Sequence, residues 1–259
     1  MTAMNLSEKV ILVTGGTSGI GEACARHFAS LGAKVVAASN QRDRGEALEG
    51  ELREAGLELR FIYADVSRET DAKAMVDFAL STYGRLDGAH CNAGVWGKGR
   101  VTEFDEAIWD KIMGVNVKSV FWTAKHAIPA MEATGTGVFL VTTSVAAFIG
   151  FPAHALYCAS KGALESLVRC LAADHAGKVR VVGICPGTID TPMLAATCEG
   201  WDKPVEELYA EVAKKIPVRR LGQPLDIAKT AAFLLSDDSE YINATSIVLD
   251  GGTMALPPW

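Results

Sequence analysis

The chain of 259 residues contains no long apolar run. Its apolar stretches, such as Val10 to Val13 and Val138 to Val141, fall far short of the ~20 residues that a bilayer-spanning helix needs. Positive charge is also scarce: 25 Lys and Arg face 31 Asp and Glu, a net charge of -6. That balance offers no electrostatic reason to bind nucleic acid or an anionic membrane, so small molecules are the expected partners. Residues 1 to 9 lack a basic segment followed by an apolar one; no signal peptide is expected, and a cytoplasmic location follows. The six cysteines, Cys24, Cys91, Cys158, Cys170, Cys185 and Cys198, form no Cys-x-x-Cys pair and share no zinc-like spacing with histidine. They read as buried thiols, and no metal is expected. Repeats, low-complexity tracts and Pro/Gly/Ser-rich linkers are missing too, so residues 1–259 are expected to form a single domain.

What is present is alternation. Short β-branched runs at Val10 to Thr14, Lys34 to Ala38, Leu59 to Tyr63, Gly88 to Cys91, Val138 to Thr142, Val179 to Ile184 and Ser246 to Leu249 predict seven strands. Amphipathic stretches between them predict helices at Gly19 to Leu31, Asp43 to Ala55, Glu69 to Tyr83, Ile108 to Met131, Leu156 to Ala176 and Leu225 to Leu235. This pattern reads as a doubly wound α/β fold, Rossmann-like, with helices on both faces of a parallel sheet. One long insertion, at about 188–222, holds a helical piece from Val205 to Lys215. A connection of that length after a strand's C-terminal end is expected to serve as a lid over a ligand.

The first strand runs into Gly15-Gly16-Thr17-Ser18-Gly19-Ile20-Gly21 and then a helix. Glycines there let the backbone approach a pyrophosphate, which the amide hydrogens and the positive helix end then meet. After the second strand, an acid would bind the ribose hydroxyls of NAD and repel the extra phosphate of NADP. The chain instead reads Ser39-Asn40-Gln41-Arg42, with no acid before Asp43. Ser39, Asn40 and Arg42 are candidate phosphate ligands, although Arg42 also suits a solvated helix start; the balance tips to NADP, with NAD left open. Asp65-Val66 follows the third strand, where the carboxylate suits an adenine amino group or a helix cap. Asn92-Ala93-Gly94 follows the fourth strand with small residues suited to a flat ligand contact.

Tyr157 and Lys161 lie four residues apart, on one face of the helix Leu156 to Ala176. Reduction of a ketone needs a proton donor for the developing alkoxide, and a cation near a phenol lowers its pKa toward neutrality. Ser144, just past the fifth strand, offers a hydroxyl to the substrate oxygen. Asn116 is a polar interruption in Met113-Gly-Val-Asn-Val117, where packing alone would favour an apolar residue.

The glycine loop, Asn92-Ala93-Gly94, Asn116, Ser144, Tyr157-x-x-x-Lys161 and Pro186-Gly187, in that order, closely resemble the short-chain dehydrogenase/reductase family in its compact branch. The resemblance covers nearly the whole chain. It implies an NAD(P)-dependent oxidoreductase with a catalytic tetrad: Tyr157 as acid or base, Ser144 orienting the substrate oxygen, Lys161 on the nicotinamide ribose and lowering the tyrosine's pKa, and Asn116 holding a helix kink and a water. It further implies that Pro186, Gly187, Ile189 and Thr188 or Thr191 contact the nicotinamide end. A homotetramer is implied as well, with one interface along the helices around Ile108 to Met131 and Leu156 to Ala176.

The residues expected to face substrate are Ser144, Val145, Ala146, Phe148, Phe151, His154, Tyr157, Trp96, Met193 and Trp201, an apolar and aromatic wall. It suits a modest, partly apolar secondary alcohol or ketone better than a sugar. His154 reads first as a satisfied structural histidine and only second as a substrate contact. A 3-oxoacyl thioester reductase is an alternative, disfavoured because Met131-Glu-Ala-Thr-Gly-Thr-Gly137 offers no basic surface to an acidic carrier protein. A non-catalytic nucleotide-binding regulator is the alternative from another class.

Overall fold

Residues 5–198 and 202–255 are described, from a computed structural model. Seven parallel strands form one sheet: β1 Val10–Thr14, β2 Lys34–Ser39, β3 Leu59–Tyr63, β4 Gly88–Cys91, β5 Gly137–Thr142, β6 Val179–Pro186 and β7 Ser246–Leu249. Their order is β3-β2-β1-β4-β5-β6-β7. The order reverses between β1 and β4, so the loops leaving the C-terminal ends of those two strands diverge and leave a crevice.

Each central strand is apolar on both faces because each face is covered. In β1, Val10 and Leu12 join the core with Met75 and Val76 of α3 (Glu69–Tyr83), Val120 and Ile128 of α5 (Ser119–Thr134), and Leu164 and Val168 of α6 (Ala155–Asp174). The alternate residues Ile11 and Val13 pack on the opposite side. Their partners there are Phe28 of α1 (Gly19–Ser30), Leu48 and Leu52 of α2 (Arg42–Glu54), and Ile227 and Leu234 of α9 (Pro224–Leu235). The two-residue period of the strand thus divides one apolar run between two cores. Among the described residues, no helix is long and apolar enough to cross a membrane.

The structure departs from the sequence reading in three places. The single helix expected from Ile108 to Met131 is divided into α4 (Glu106–Met113), a π-helical turn at Gly114–Lys118 and α5. Asp105 starts α4 by accepting from the Ile108 amide at 2.8 Å, and the wide turn is where Asn116 departs from the helical pattern. The insertion contains a helix that periodicity did not reveal, α7 (Pro192–Thr197), capped by Thr191, as well as the expected α8 (Val205–Lys215). Finally, only Cys24, Cys91 and Cys185 are buried; Cys170 is exposed, and Cys158 and Cys198 are intermediate. Cys170 lies on the solvent side of α6, where the general preference of thiols for burial yields to position on the helix.

A histidine is among the buried polar residues. His90 lies in β4, opposite Val13 of β1 and Leu140 of β5, and is fully buried. Its Nε2 sits 2.8 Å from Thr142 Oγ1, while Nδ1 has no hydrogen-bond partner among the described residues. Burial pushes its pKa from 6.5 down to about 3. The native state therefore refuses a proton that the unfolded chain accepts below pH 6.5. Stability from this group is complete above that pH and declines by about 1.4 kcal/mol per unit as the pH falls toward the folded value. His90→Leu is expected to flatten the stability profile between about pH 6 and pH 4 by roughly 1 kcal/mol per unit, read by urea unfolding at stepped pH. An unchanged slope would mean that His90 does not titrate in this way.

Candidate active site

Above the C-terminal ends of β1, β4, β5 and β6 lies a cavity of about 320 Å³. One rim is the turn between β1 and α1. Gly15 and Gly19 there adopt φ of 65° and 53°, a region that side chains with a Cβ disfavour. At Gly21, a Cβ would stand 2.1 Å from the Gly15 carbonyl oxygen and 2.6 Å from Asn92 Nδ2, so the first helical turn and the strand end touch backbone to backbone. Thr14 fastens the next loop to this one: its Oγ1 accepts from the amides of Asn92 at 3.0 Å and Ala93 at 3.1 Å. Gly15, Ser18, Gly19, Ile20, Asn92, Ala93 and Gly94 all line the cavity. Such a concave backbone, opening at a helix N-terminus and closed to any Cβ at Gly21, fits a pyrophosphate.

The residues expected at the far end of a dinucleotide lie away from this cavity, along the edges of β2 and β3. Thr17 Oγ1 donates to Ser39 Oγ at 2.8 Å, and both side chains are buried. Arg42 opens α2 with its guanidinium 4.9 Å above the Tyr63 ring and 3.5 Å from Glu46. Asp65 Oδ1 accepts from both the amide and the hydroxyl of Ser67, at 3.0 and 2.7 Å, so it closes a local turn and does not cap α3. Asn40 is exposed and Val66 is buried in the core. Arg44, which sequence reasoning passed over, shares a second cavity of about 240 Å³ with Thr17.

Across the main cavity stands α6. Lys161 is buried, and its Nζ donates to the backbone carbonyl of Thr142 at 2.8 Å. An ammonium has three donors, so two are left for whatever enters the cavity that Lys161 lines. Burial pushes its pKa from 10.5 to about 8. Tyr157 shares the lining, with the Lys161 ammonium 5.9 Å from its ring centre. Its pKa is raised, chiefly by burial, and the nearby Ser144 hydroxyl opposes that shift. Desolvation of the phenol leads the causes of that shift, and Lys161 is not among them; its ammonium donates to the Thr142 carbonyl instead. Ser144 caps the short turn Val145–Ala147, its Oγ accepting from the Ala146 amide at 3.1 Å, which leaves its own hydrogen free to donate.

Asn116 lies behind this group. Its Oδ1 accepts from the Val95 amide at 2.8 Å, and its Nδ2 donates to the Val95 carbonyl at 2.9 Å and to Ser160 Oγ at 3.0 Å. Ser160 in turn donates to the Tyr157 carbonyl at 2.7 Å. The amide thus ties the loop after β4 to the first turn of α6. Thr142, Thr14 and Ser160 were missed in the sequence because they act through backbone groups or as middle links. No residue type marks a carbonyl that will hold a buried ammonium.

The other rim comes from the insertion. Pro186, Gly187, Ile189, Thr191 and Met193 line the cavity, as does Thr188. The two ends of the insertion are stitched together: the Asp190 amide donates to the Gly222 carbonyl at 2.9 Å, and the Gly222 amide to the Thr188 carbonyl at 3.0 Å. Trp96, Val145, Ala146, Phe151 and His154 complete the wall. Phe148 does not: it is half exposed and outside the lining, since the turn after Ser144 directs Val145 and Ala146 inward instead. Trp201 lies outside the described residues. No cluster of three potential metal ligands occurs among the described residues.

A family model described as enoyl-(acyl carrier protein) reductase matches residues 15–254. An uncharacterized oxidoreductase of Thermotoga maritima is 37% identical over 98% of this chain and 100% of its own. The 2-(S)-hydroxypropyl-CoM dehydrogenase 3 of Xanthobacter autotrophicus is 37% identical over 97% of this chain and 98% of its own. Among solved structures, the ligand-free aldohexose dehydrogenase of Thermoplasma acidophilum has a TM-score of 0.90 at 32% identity, covering 98% of this chain and 97% of that one. A putative NAD(P)-dependent gluconate 5-dehydrogenase from Beutenbergia cavernae, with bound NADP, has a TM-score of 0.90 at 30% identity, covering 98% and 99%. The chain belongs to the short-chain dehydrogenase/reductase family and is an NAD(P)-dependent oxidoreductase acting between secondary alcohols and ketones. The regulatory, non-catalytic alternative falls with that assignment.

The buried Lys161 carries a measurable cost. Because its folded pKa lies below its unfolded one, the group opposes folding by about 3 kcal/mol at neutral pH, and the opposition fades as the pH rises from about 8 to 10.5. Lys161→Met is therefore expected to raise the unfolding midpoint at pH 7 by several degrees, less whatever the lost Thr142 contact contributes. Calorimetric scans should show the gain shrinking toward pH 10; a midpoint lowered at pH 7 would contradict the burial argument.

Proposed function

We propose that this short-chain dehydrogenase/reductase moves its proton through Tyr157, with Ser144, Lys161 and Asn116 completing the site. The observation that carries the reading is that Tyr157, Ser144 and Lys161 line one cavity with the glycine turn. The raised pKa keeps the Tyr157 phenol protonated at neutral pH, the form that delivers a proton to a ketone oxygen. The Ser144 hydroxyl, beside the Tyr157 phenol, accepts from the Ala146 amide and keeps its hydrogen for donation to the same oxygen, which fixes its position. Asn116 is a positioning residue, since its amide is engaged with Val95 and Ser160 and holds α6 against the loop after β4.

A nicotinamide dinucleotide supplies the hydride chemistry when bound. Gly15, Ser18, Gly19 and Ile20 would hold its pyrophosphate, and Asn92, Ala93 and Gly94 would flank it. Lys161 would bind a ribose through its two unused donors. Pro186, Gly187, Ile189 and Thr191 would close over the nicotinamide, with the 188–222 insertion as lid. Thr17, Ser39, Asn40, Arg42, Asp65 and Val66 would serve the adenosine half. NADP is the preferred form in this reading. No acid follows β2 before Asp43, and Arg44 has one hydrogen bond among the described residues, to Gln41 Oε1 at 3.4 Å. Arg42, drawn toward Tyr63 and Glu46, is the less available cation.

The substrate is a modest, partly apolar ketone or secondary alcohol, received by Trp96, Ala146, Phe151 and Met193. A free small molecule suits the surface better than a carrier-bound thioester, because Glu132 near the end of α5 pairs with His175 at 2.9 Å and presents no basic patch. Exposed Ile108, Trp109 and Phe121 on α4 and α5 support a homotetramer with an interface along these helices. The cysteines are all free thiols among the described residues, which suits a reducing cytoplasm.

Tyr157→Phe is expected to lower turnover roughly 100- to 10,000-fold while dinucleotide binding by calorimetry changes only a few-fold. Comparable turnover in the variant would remove Tyr157 from the mechanism. In the same calorimeter NADP should bind about tenfold or more tightly than NAD, with most of that preference lost in Arg44→Ala. Tighter binding of NAD would defeat the NADP reading.

A further inference from the structure

His154 stands one helical turn before Tyr157, as the residue that opens α6, and lines the same cavity. Several contacts hold its ring. It stacks on Trp96, with centroids 5.7 Å apart and planes 26° apart, and Phe151 meets it edge-on at 6.4 Å. The backbone is shaped for the purpose: Ala153 adopts φ of 58°, in the left-handed region, and its carbonyl accepts from the Gly99 amide at 2.8 Å. That contact brings the loop carrying Trp96 against His154.

The ring's hydrogen bond determines its tautomer. His154 Nδ1 lies 2.7 Å from the Pro152 carbonyl oxygen, which only accepts, so Nδ1 carries the hydrogen. In the neutral imidazole, Nε2 is then a bare acceptor, and it has no hydrogen-bond partner among the described residues. The cavity therefore offers two kinds of polar group a helical turn apart, roughly 5–6 Å between Cβ atoms. Tyr157 and Ser144 donate to the reacting oxygen, while His154 Nε2 is an acceptor set between the apolar rings of Trp96 and Phe151.

We infer that His154 is a specificity-determining residue, and that the substrates of this site are hydroxy ketones and the matching diols. The inference rests on the oxidoreductase reading of the same site. A simple ketone leaves Nε2 unpaired when it excludes water; a hydroxy ketone satisfies it.

The test pairs 2-hydroxycyclohexanone with cyclohexanone, and trans-1,2-cyclohexanediol with cyclohexanol. In the NADPH-loaded protein, kcat/KM for the hydroxy ketone should exceed that for the plain ketone about tenfold. His154→Phe keeps a stacking ring without the acceptor and should bring that ratio close to one. Independently of turnover, the Nε2 resonance of 15N-histidine-labelled protein, assigned by its loss in His154→Phe, should move on addition of the diol and not of cyclohexanol. Equal kcat/KM for the two ketones in the wild type, or a ratio untouched in His154→Phe, would overturn the inference while leaving the oxidoreductase reading in place. Movement of the Nε2 signal by the diol with neither ketone turned over would uphold the hydroxyl site and count against the proton chemistry assigned to Tyr157.

Discussion

An ammonium held in the protein interior by one backbone carbonyl organises the site. Lys161 is buried against Thr142 at the C-terminal end of β5, and the sheet supplies the acceptor only because β5 ends where α6 passes over it. Desolvation disfavours the charge, and the pKa falls to about 8, so the group is a poised cation whose remaining donors point into a cavity. Interior charge without an acid partner is a cost that a fold retains for function. The same passage of α6 sets Tyr157 beside Ser144, because both residues are placed relative to the end of β5.

The rest of the site is a matter of how closely backbones approach one another. Gly21 packs against the Gly15 carbonyl, Thr14 grips the loop after β4, and Asn116 ties that loop to α6 through Val95 and Ser160. Each link joins segments far apart in sequence, and together they fasten the glycine turn, the loop after β4 and the start of α6 to one another. The insertion is joined on by the short stitch between Thr188, Asp190 and Gly222, and Pro192, Met193, Leu194 and Thr197 of α7 line the cavity. His90 belongs to the same network from below: it contacts Thr142 Oγ1, whose hydroxyl also lies 3.4 Å from Asn92 Oδ1. A titratable ring in the middle of the sheet thus touches the residue that holds Lys161.

Much of this was legible in the chain. Strand positions were readable within a residue or two because short, mostly apolar runs alternate with amphipathic stretches, as buried parallel strands covered by helices require. The glycine turn, the Tyr157 and Lys161 pair, Ser144 and Asn116 were readable as site candidates because the chemistry proposed for them restricts residue type. Periodicity failed where backbone geometry changed without a change of composition. Nothing in Met113 to Lys118 distinguishes a π-helical turn from continued α-helix, and the single turn and a half of α7 is too short to show a repeat. The preference of cysteine for burial likewise misplaced Cys170, since an average over proteins does not say which side of α6 faces water.

The amino-acid sequence by itself determined the fold class and the candidate groups proposed for the chemistry, since both follow from local pattern and from residue types that few other tasks require. Tertiary structure alone decided which of those groups are poised and in what state. The raised pKa of Tyr157, the lowered one of Lys161 and the tautomer of His154 depend on burial and on carbonyls of Thr142 and Pro152. A backbone carbonyl has no side-chain identity to read, and desolvation depends on what the folded chain stacks around a group. Those are properties of contact, not of order along the chain.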